Sequence, residues 1–324
     1  MPRIKKTSIC DPDSVFPVLD KVNLRWIFAR TTGELLRFLA YNGLLKDQRE
    51  CEICDKLMSI INDQSRSDGI FWRCSDCKVM KSVRAASFFE SSKLPLTDAV
   101  PLLYMWIQDF RNMNTVREVG VNKATVVDWF SKCRNECMKE RKVKIGGIGK
   151  IVEIDETCWV KQKHHRGKPK KGSQVWFFGG IERGAGGQAF AVRVKDRKQA
   201  TLFKIIKRYI RPGTLIISDE WRAYLKLEKH MPQYTHMLIR HKKQTGGGFS
   251  KKVTLNDGTE MNINTNKCEG LWAHLKHKTK RIYGTSSGKS DGYLCEQLLH
   301  LNARAASKSV SEAFVDLLSE NYPV

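Results

Sequence analysis

The chain has no long apolar run. Its longest, residues 99 to 107, has nine residues. A membrane-spanning helix needs about 20, so none is expected. The opening stretch MPRIKKTSICDPDS lacks the apolar core of a signal peptide, so secretion is not expected. Without secretion, most of the ten cysteines are expected to be reduced. Internal repeats and low-complexity tracts are absent. Acids are scarce: 34 Asp and Glu stand against 57 Lys and Arg, a net charge of +23. Such a surplus on a folded chain predicts a polyanionic partner, above all nucleic acid. What is present suits a globular protein, with 41% apolar and 9% aromatic residues. At 324 residues, about two domains are expected.

Residues 20 to 46 read as one helix, with Leu35, Leu36 and Leu39 on its inner face and Gly43 near its end. Residues 97 to 110 start another, opened by a threonine cap. The stretch TVREVGVNKATVVDWFSKCRNEC reads as a helix-turn-helix, turning at Gly120 to Asn122 with Val126, Val127 and Phe130 inward. Beyond KIGGIGK the pattern changes to strands. KIVEID, VWFFGGIE and QAFAVRV suggest a meander. A helix over 198 to 209, the strand TLIISD, a helix from Glu220 and the strand YTHMLIR follow. VTLNDGTEMNIN reads as a hairpin turning at Asp-Gly. Three helices finish the chain, over about 266 to 281, 290 to 305 and 309 to 320. The class is α/β, a mixed sheet flanked by helices.

Cys51-x2-Cys54 and Cys74-x2-Cys77 are separated by 19 residues. Each pair puts two thiolates on one tight knuckle. Two knuckles close a tetrahedron around one structural Zn²⁺ with no open position, against the plainer reading of four free or redox thiols. The short strands around it cannot bury a core alone, so the metal should supply much of the folding free energy. Arg66, Trp72, Arg73, Lys78 and Lys81 are offered to DNA or to a protein partner.

Three acids stand out by position. Asp155 ends the first sheet strand, Asp219 ends TLIISD, and Glu269 lies early on the helix NTNKCEGLWAHLKHK. Alternation puts Glu153 on the face of Asp155 and Glu156 on the other. Any one of these acids alone reads as a cap or a surface charge. Together, three converging carboxylates would repel unless cations neutralised them. Two Mg²⁺ ions would do so, and would clamp both oxygens of a phosphodiester displacement. Lys276 lies seven residues beyond Glu269, on the same helix face within about 20°. It suits either a substrate phosphate or plain exposure. Asn266 suits a cap or a contact behind the acids, and His274 and His277 read as surface groups.

The stretches VEIDET, ISDEWRAY and NTNKCEGLWAHLK, with the zinc ribbon and KSVRAASFFESSKLPL, resemble the DDE transposases of the Merlin type. They resemble also the bacterial insertion-sequence relatives of that group, with their ISXO-type transposase domain. The resemblance runs from about Leu35 to Asn302. It implies an RNase H-like fold in which Asp155, Asp219 and Glu269 bind two Mg²⁺ or Mn²⁺ ions. It also implies that Lys276 contacts the transposon end. The implied partners are double-stranded DNA, both terminal repeats and target, and further copies of the chain assembled on it. One site would use water and then a 3′-hydroxyl, so cleavage and strand transfer are one chemistry.

The expected organisation is a helical segment over 1–48, a zinc ribbon over 49–92 and a helix-turn-helix region over 93–146. An RNase H-like domain over 147–305 and a C-terminal helix over 306–324 complete it. Residues 161 to 171, KQKHHRGKPKK, carry six Lys or Arg and no acid. Lys168, Lys170 and Lys171 there suit a grip on DNA backbone, a nuclear import signal or a solvated loop. Lys123 opens a helix that suits a major groove or plain packing. Two rivals stand beside the transposase: a domesticated descendant that binds DNA without cutting, and a zinc-ribbon binding protein with an unrelated second domain. A nuclear site is expected in a eukaryotic host, and cytoplasm or nucleoid in a bacterial one.

Overall fold

A computed structural model describes residues 6–13, 15–139, 144–159, 174–239, 251–254, 260–282, 284–286 and 288–323. The chain divides into two compact units. One is Met1–Glu136 with Lys308–Val324, the other Cys137–Ser307.

In the first unit, the single helix expected over 20 to 46 is three pieces. A 3-10 turn at Leu19–Lys21 precedes α1, Leu24–Phe28, and α2, Thr32–Tyr41. The breaks come from competing caps. Asn23 accepts the Trp26 N–H, while Thr31 and Glu34 form a reciprocal capping box that starts α2 afresh. Three short antiparallel strands follow: β1 Ser59–Asn62, β2 Ile70–Arg73 and β3 Met80–Ser82. Trp72 on β2 is fully buried. It is the ribbon's core rather than a group offered to DNA.

Helix α3, Leu96–Ile107, begins after Pro95, so Thr97 lies inside it and caps nothing. Helix α4, Asn112–Val119, ends on left-handed Gly120 (φ 76°). The turn leads into α5, Lys123–Met138, whose first turn is capped by Asn122 accepting the Thr125 N–H at 2.8 Å. This is the expected helix-turn-helix, with Val126, Trp129 and Phe130 buried and Val127 only partly so.

The second unit holds a five-stranded mixed sheet. Its strands are β5 Ile151–Cys158, β6 Trp176–Glu182, β7 Ala189–Val194, β9 Leu215–Asp219 and β10 Thr235–Ile239. The spatial order is β10-β9-β5-β6-β7. Strands β5, β6 and β7 form the expected antiparallel meander, and β9 and β10 add in parallel on the other side of β5. This is the RNase H-like arrangement. Two short strands, β4 Ile145–Gly146 and β8 Ile210–Arg211, pair outside it. Strands β11 Lys251–Thr254 and β12 Glu260–Ile263 are the expected hairpin.

Strand alternation gives β5 two different faces. Val152 and Ile154 pack with Leu202 and Ile206 of α6, Gln199–Tyr209, and with Tyr224. On the opposite sheet face Phe177 and Ala191 meet Leu271, Trp272 and Leu275 of α8, Asn266–Arg281, and Leu294 of α9, Ser290–Ala305. Each such fully buried leucine contributes roughly 1.5–3 kcal/mol. The helix expected from Glu220 is instead a run of turns, ending in the single-turn α7, Leu227–His230. The last helix, α10, Val310–Asn321, belongs to the first unit. There Phe314 packs 4.7 Å from Trp106 and 6.2 Å from Phe88. Among the described residues no helix is long and apolar enough to cross a membrane.

Candidate active site and zinc centre

The cysteine cluster is built by two copies of one backbone device. Cys51 N–H bonds the Lys56 carbonyl and Cys74 N–H bonds the Val79 carbonyl, both at 2.9 Å. The residue after each second cysteine, Asp55 and Lys78, is left-handed. Each turn thereby aims two thiols the same way, and a Lys56–Asp76 ion pair links the two. The four sulfurs all lie within 4.8 Å of one another, with Cys54 and Cys74 3.6 Å apart. A tetrahedron with zinc–sulfur arms of about 2.3 Å has edges of roughly 3.8 Å, so the donor set fits zinc. Backbone N–H groups of Cys77 and Asp76 pull the Cys74 thiol down to about 7, while the neighbouring thiols push Cys77 up to about 12, so the four do not share one proton affinity.

Of the basic groups near the ribbon, Arg66 pairs with Asp63 and lies over Phe71, and Lys81 pairs with Glu52. Arg73 is exposed. Lys78 is also exposed, and its ammonium donates to the Ser75 carbonyl.

The carboxylates are assembled over far longer sequence distances. Parallel pairing sets Ile151 beside Leu215, Val152 beside Ile216 and Glu153 beside Ile217. Two residues further along each strand come Asp155 and Asp219, at the same level and on the same side. The β5–β9 pairing ends before them, at Glu153 and Ile217. Asp155 therefore lies within β5, not at its end. Its Oδ2 accepts the Trp272 indole N–H at 3.1 Å. The Trp221 backbone N–H donates to Asp219 Oδ1 at 3.1 Å.

Trp272 reaches Asp155 because the strand opposite leaves room. Asp155 pairs with Gly179 on β6. A Cβ on Gly179 would stand 2.7 Å from the Trp272 ring and 2.8 Å from the Phe190 carbonyl oxygen.

Glu269 is placed by a buried clamp that sequence reading missed. Glu153 is fully buried and pairs with Arg183 Nε at 2.6 Å. Its other oxygen accepts the Cys268 N–H at 3.1 Å, in the first turn of α8. A carboxylate there satisfies an otherwise unpaired helix donor and suits the positive helix end. Arg183 also donates to the carbonyls of Asn262 and Asn264 and to the Asn264 side chain. Glu269 is the next residue after Cys268 and is exposed. Asn266 is exposed at the start of α8, whose cap position is Thr265. The one signal for the clamp was an acid between the apolar Val152 and Ile154 in the first half of β5.

Burial, with Asp219 and Glu269 nearby, pushes Asp155 up to about 6. Burial, with Asp155 and Asp219, pushes Glu156 up to about 7, against a Tyr224 hydroxyl that donates to it. Glu156 does lie on the opposite strand face, yet it shares the field of the other acids. Among the described residues only the four cysteines gather three or more ligand atoms within 4.8 Å. Asp155, Asp219 and Glu269 interact through space without forming so tight a cage. Hard carboxylate oxygens, with ionisation of Asp155 opposed by its two acidic neighbours, fit a divalent cation such as Mg²⁺ in kind.

Lys276 runs along α8 to the far end of β5, where Nζ donates to Thr157 Oγ1 at 2.5 Å and to the Cys158 carbonyl at 3.2 Å. It thus ties α8 to the strand that carries Asp155. Lys123 is exposed at the start of α5. Lys168, Lys170 and Lys171 lie outside the described residues. His277 is exposed, and His274 is half-buried with its proton affinity lowered by burial.

A search of curated proteins gives no match. Residues 146–300 match the family model of the ISXO2-like transposase domain. That span contains β5, β9 and α8, with Asp155, Asp219 and Glu269. The second unit of this chain is an ISXO2-like transposase domain.

Proposed function

We propose that this chain binds transposon ends and catalyses divalent-metal-dependent DNA cleavage and strand transfer, with Asp155, Asp219 and Glu269 as its metal ligands. The observation that supports the reading is the parallel β5–β9 register, which brings the two strands together two residues before Asp155 and Asp219, with Asp219 and Glu269 both opposing ionisation of Asp155. Bound Mg²⁺ or Mn²⁺ would activate the attacking hydroxyl and stabilise the leaving 3′-oxygen. The protein's own part is placement. The Trp272 indole N–H holds one Asp155 oxygen, and the Trp221 N–H holds one Asp219 oxygen. The Glu153–Arg183 clamp fixes the first turn of α8, and so the base of the Glu269 side chain. Lys276, two turns on, has a charge suited to a DNA phosphate. Cys51, Cys54, Cys74 and Cys77 would hold one structural Zn²⁺. The first unit, with its helix-turn-helix, Lys123 and the ribbon, would recognise the ends, and copies of the chain would assemble there. In a eukaryotic host this work takes place in the nucleus.

The test is cleavage and joining of labelled terminal-repeat DNA in Mg²⁺ or Mn²⁺. Asp155→Asn, Asp219→Asn and Glu269→Gln should each lower the rate by about 10³-fold or more, the scale of losing a catalytic group. End binding should survive in all three. Wild-type cutting by Asp155→Asn would sink the assignment. A wild-type protein that binds ends and never cuts would point to the domesticated alternative.

A further inference from the structure

Two arginines near the acids are used in opposite ways. Arg183 spends its donors on Glu153, Asn262 and Asn264. Arg197, in the loop between β7 and α6, is held by its faces. Its guanidinium carbon is 3.9 Å from the Trp176 ring centre and 4.5 Å from that of Trp221. The Trp221 indole N–H bonds the Arg197 carbonyl at 3.3 Å, which locks that ring in place. Among the described residues the Arg197 N–H groups meet no hydrogen-bond acceptor. A guanidinium held against two indole rings still has its donor edge, a planar fork matched to two oxygens of one anion, although its charge also acts on the Glu156 carboxyl.

That edge belongs to a cavity of about 530 Å³, lined by Arg197, Lys198, Gln199, Trp221, Arg222 and Ala223. Three of the six are cationic and none is an acid. The cavity begins two residues beyond Asp219, whose carboxylate takes the Trp221 N–H.

We propose that this cavity is a phosphate-binding subsite for DNA. In it the Arg197 fork holds one backbone phosphodiester, and Lys198 and Arg222 add charge at the rim. The inference rests on the transposase reading for its ligand, the link being Trp221, which lines the cavity and whose backbone N–H holds Asp219. The fork fixes which phosphate along the strand stands beside Asp219. That is a positioning role, separate from the chemistry of the three acids.

The test uses the full chain, a labelled blunt duplex and fluorescence anisotropy over a KCl series with no catalytic metal. Arg197→Gln should lower the slope of log affinity against log salt by about 0.9, the value for one lost phosphate contact. Arg222→Gln, at an exposed rim position, should lower it similarly and decides the matter if Arg197→Gln fails to fold. Arg197→Lys should keep the slope and weaken binding, because charge remains while the fork is lost. An unchanged slope in Arg197→Gln, or in Arg222→Gln where that variant decides, overturns the proposal. So does calorimetry in which inorganic phosphate binds the wild type and not Arg197→Gln while the DNA slope stays the same. Because nothing is cut, the result is independent of the triad. Cutting by Asp155→Asn would refute the catalytic reading and leave the slope result standing.

Discussion

The cysteine and carboxylate clusters solve opposite problems. The cysteines come from 27 consecutive residues, 51 to 77, and each pair is aimed by its own turn. Their sulfurs already stand at ligand spacing. The acids come from positions 155, 219 and 269, and are brought together only by strand register and by one helix docked on the sheet. They stay looser, and Asp219 and Glu269 raise the cost of ionising Asp155. A centre that only holds a fold can be local and closed. A centre that must admit a substrate is assembled from distant parts and left open, so it depends on what braces it.

The largest expected effect sharpens that contrast. Cys74→Ser should remove the zinc and unfold the ribbon, because the ion's binding free energy is folding free energy there. Metal analysis should fall from about one Zn²⁺ per chain to none. Hydrogen exchange should rise over residues 51 to 82 and stay unchanged over β5 and β9. Loss of protection in both units would break the distinction.

Glu153→Gln comes next. It leaves the Arg183 guanidinium without its buried counter-charge, a change that costs roughly 3–5 kcal/mol. Chemical denaturation should show that loss in the second unit. Cleavage should fall as well, although Glu153 touches no substrate. Undiminished stability would mean that the clamp does not brace α8.

Gly179→Ala should cost less, about 1–3 kcal/mol, as an overpacked core does. The new methyl pushes Trp272 from the Asp155 carboxylate, so the tryptophan fluorescence and the cleavage rate should change together. Normal cleavage with displaced Trp272 would show that Asp155 needs no such brace.

The last expected effect is on pH. The folded protein holds Asp155 at about 6, against an ordinary value of 3.8. Between those values the native state binds a proton that the unfolded chain has released. Without added divalent cation, stability should therefore fall as pH rises through that window. Asp155→Asn should flatten the fall in a denaturant series. An identical pH profile in the variant would show that the carboxylate is not held up by its surroundings.

Much of this was legible in the sequence, for local reasons. The paired CxxC spacing states its own geometry, and the runs around Asp155 and Asp219 have a strand pattern whatever lies beside them. The meander, the parallel strands and the hairpin follow from such runs. The braces were not legible. Gly179 matters only because register sets it opposite Asp155, and Trp272 only because α8 docks there. The Glu153–Arg183 clamp joins residues 30 positions apart and then reaches Cys268. The break at Thr31 was a different failure. Its Thr-x-x-Glu signature was plain, and the apolar periodicity on either side overrode it.

The return of α10 to the first unit sets an order of events during synthesis. The transposase domain, complete at Ser307, has left the ribosome's peptidyl centre before Phe314 exists to fill the space between Trp106 and Phe88. The first unit is thus finished after the second. A product ending short of Lys308 would carry every acid described above, yet would lack the aromatic plug of its first unit. Truncating a buried phenylalanine alone costs about 3–5 kcal/mol.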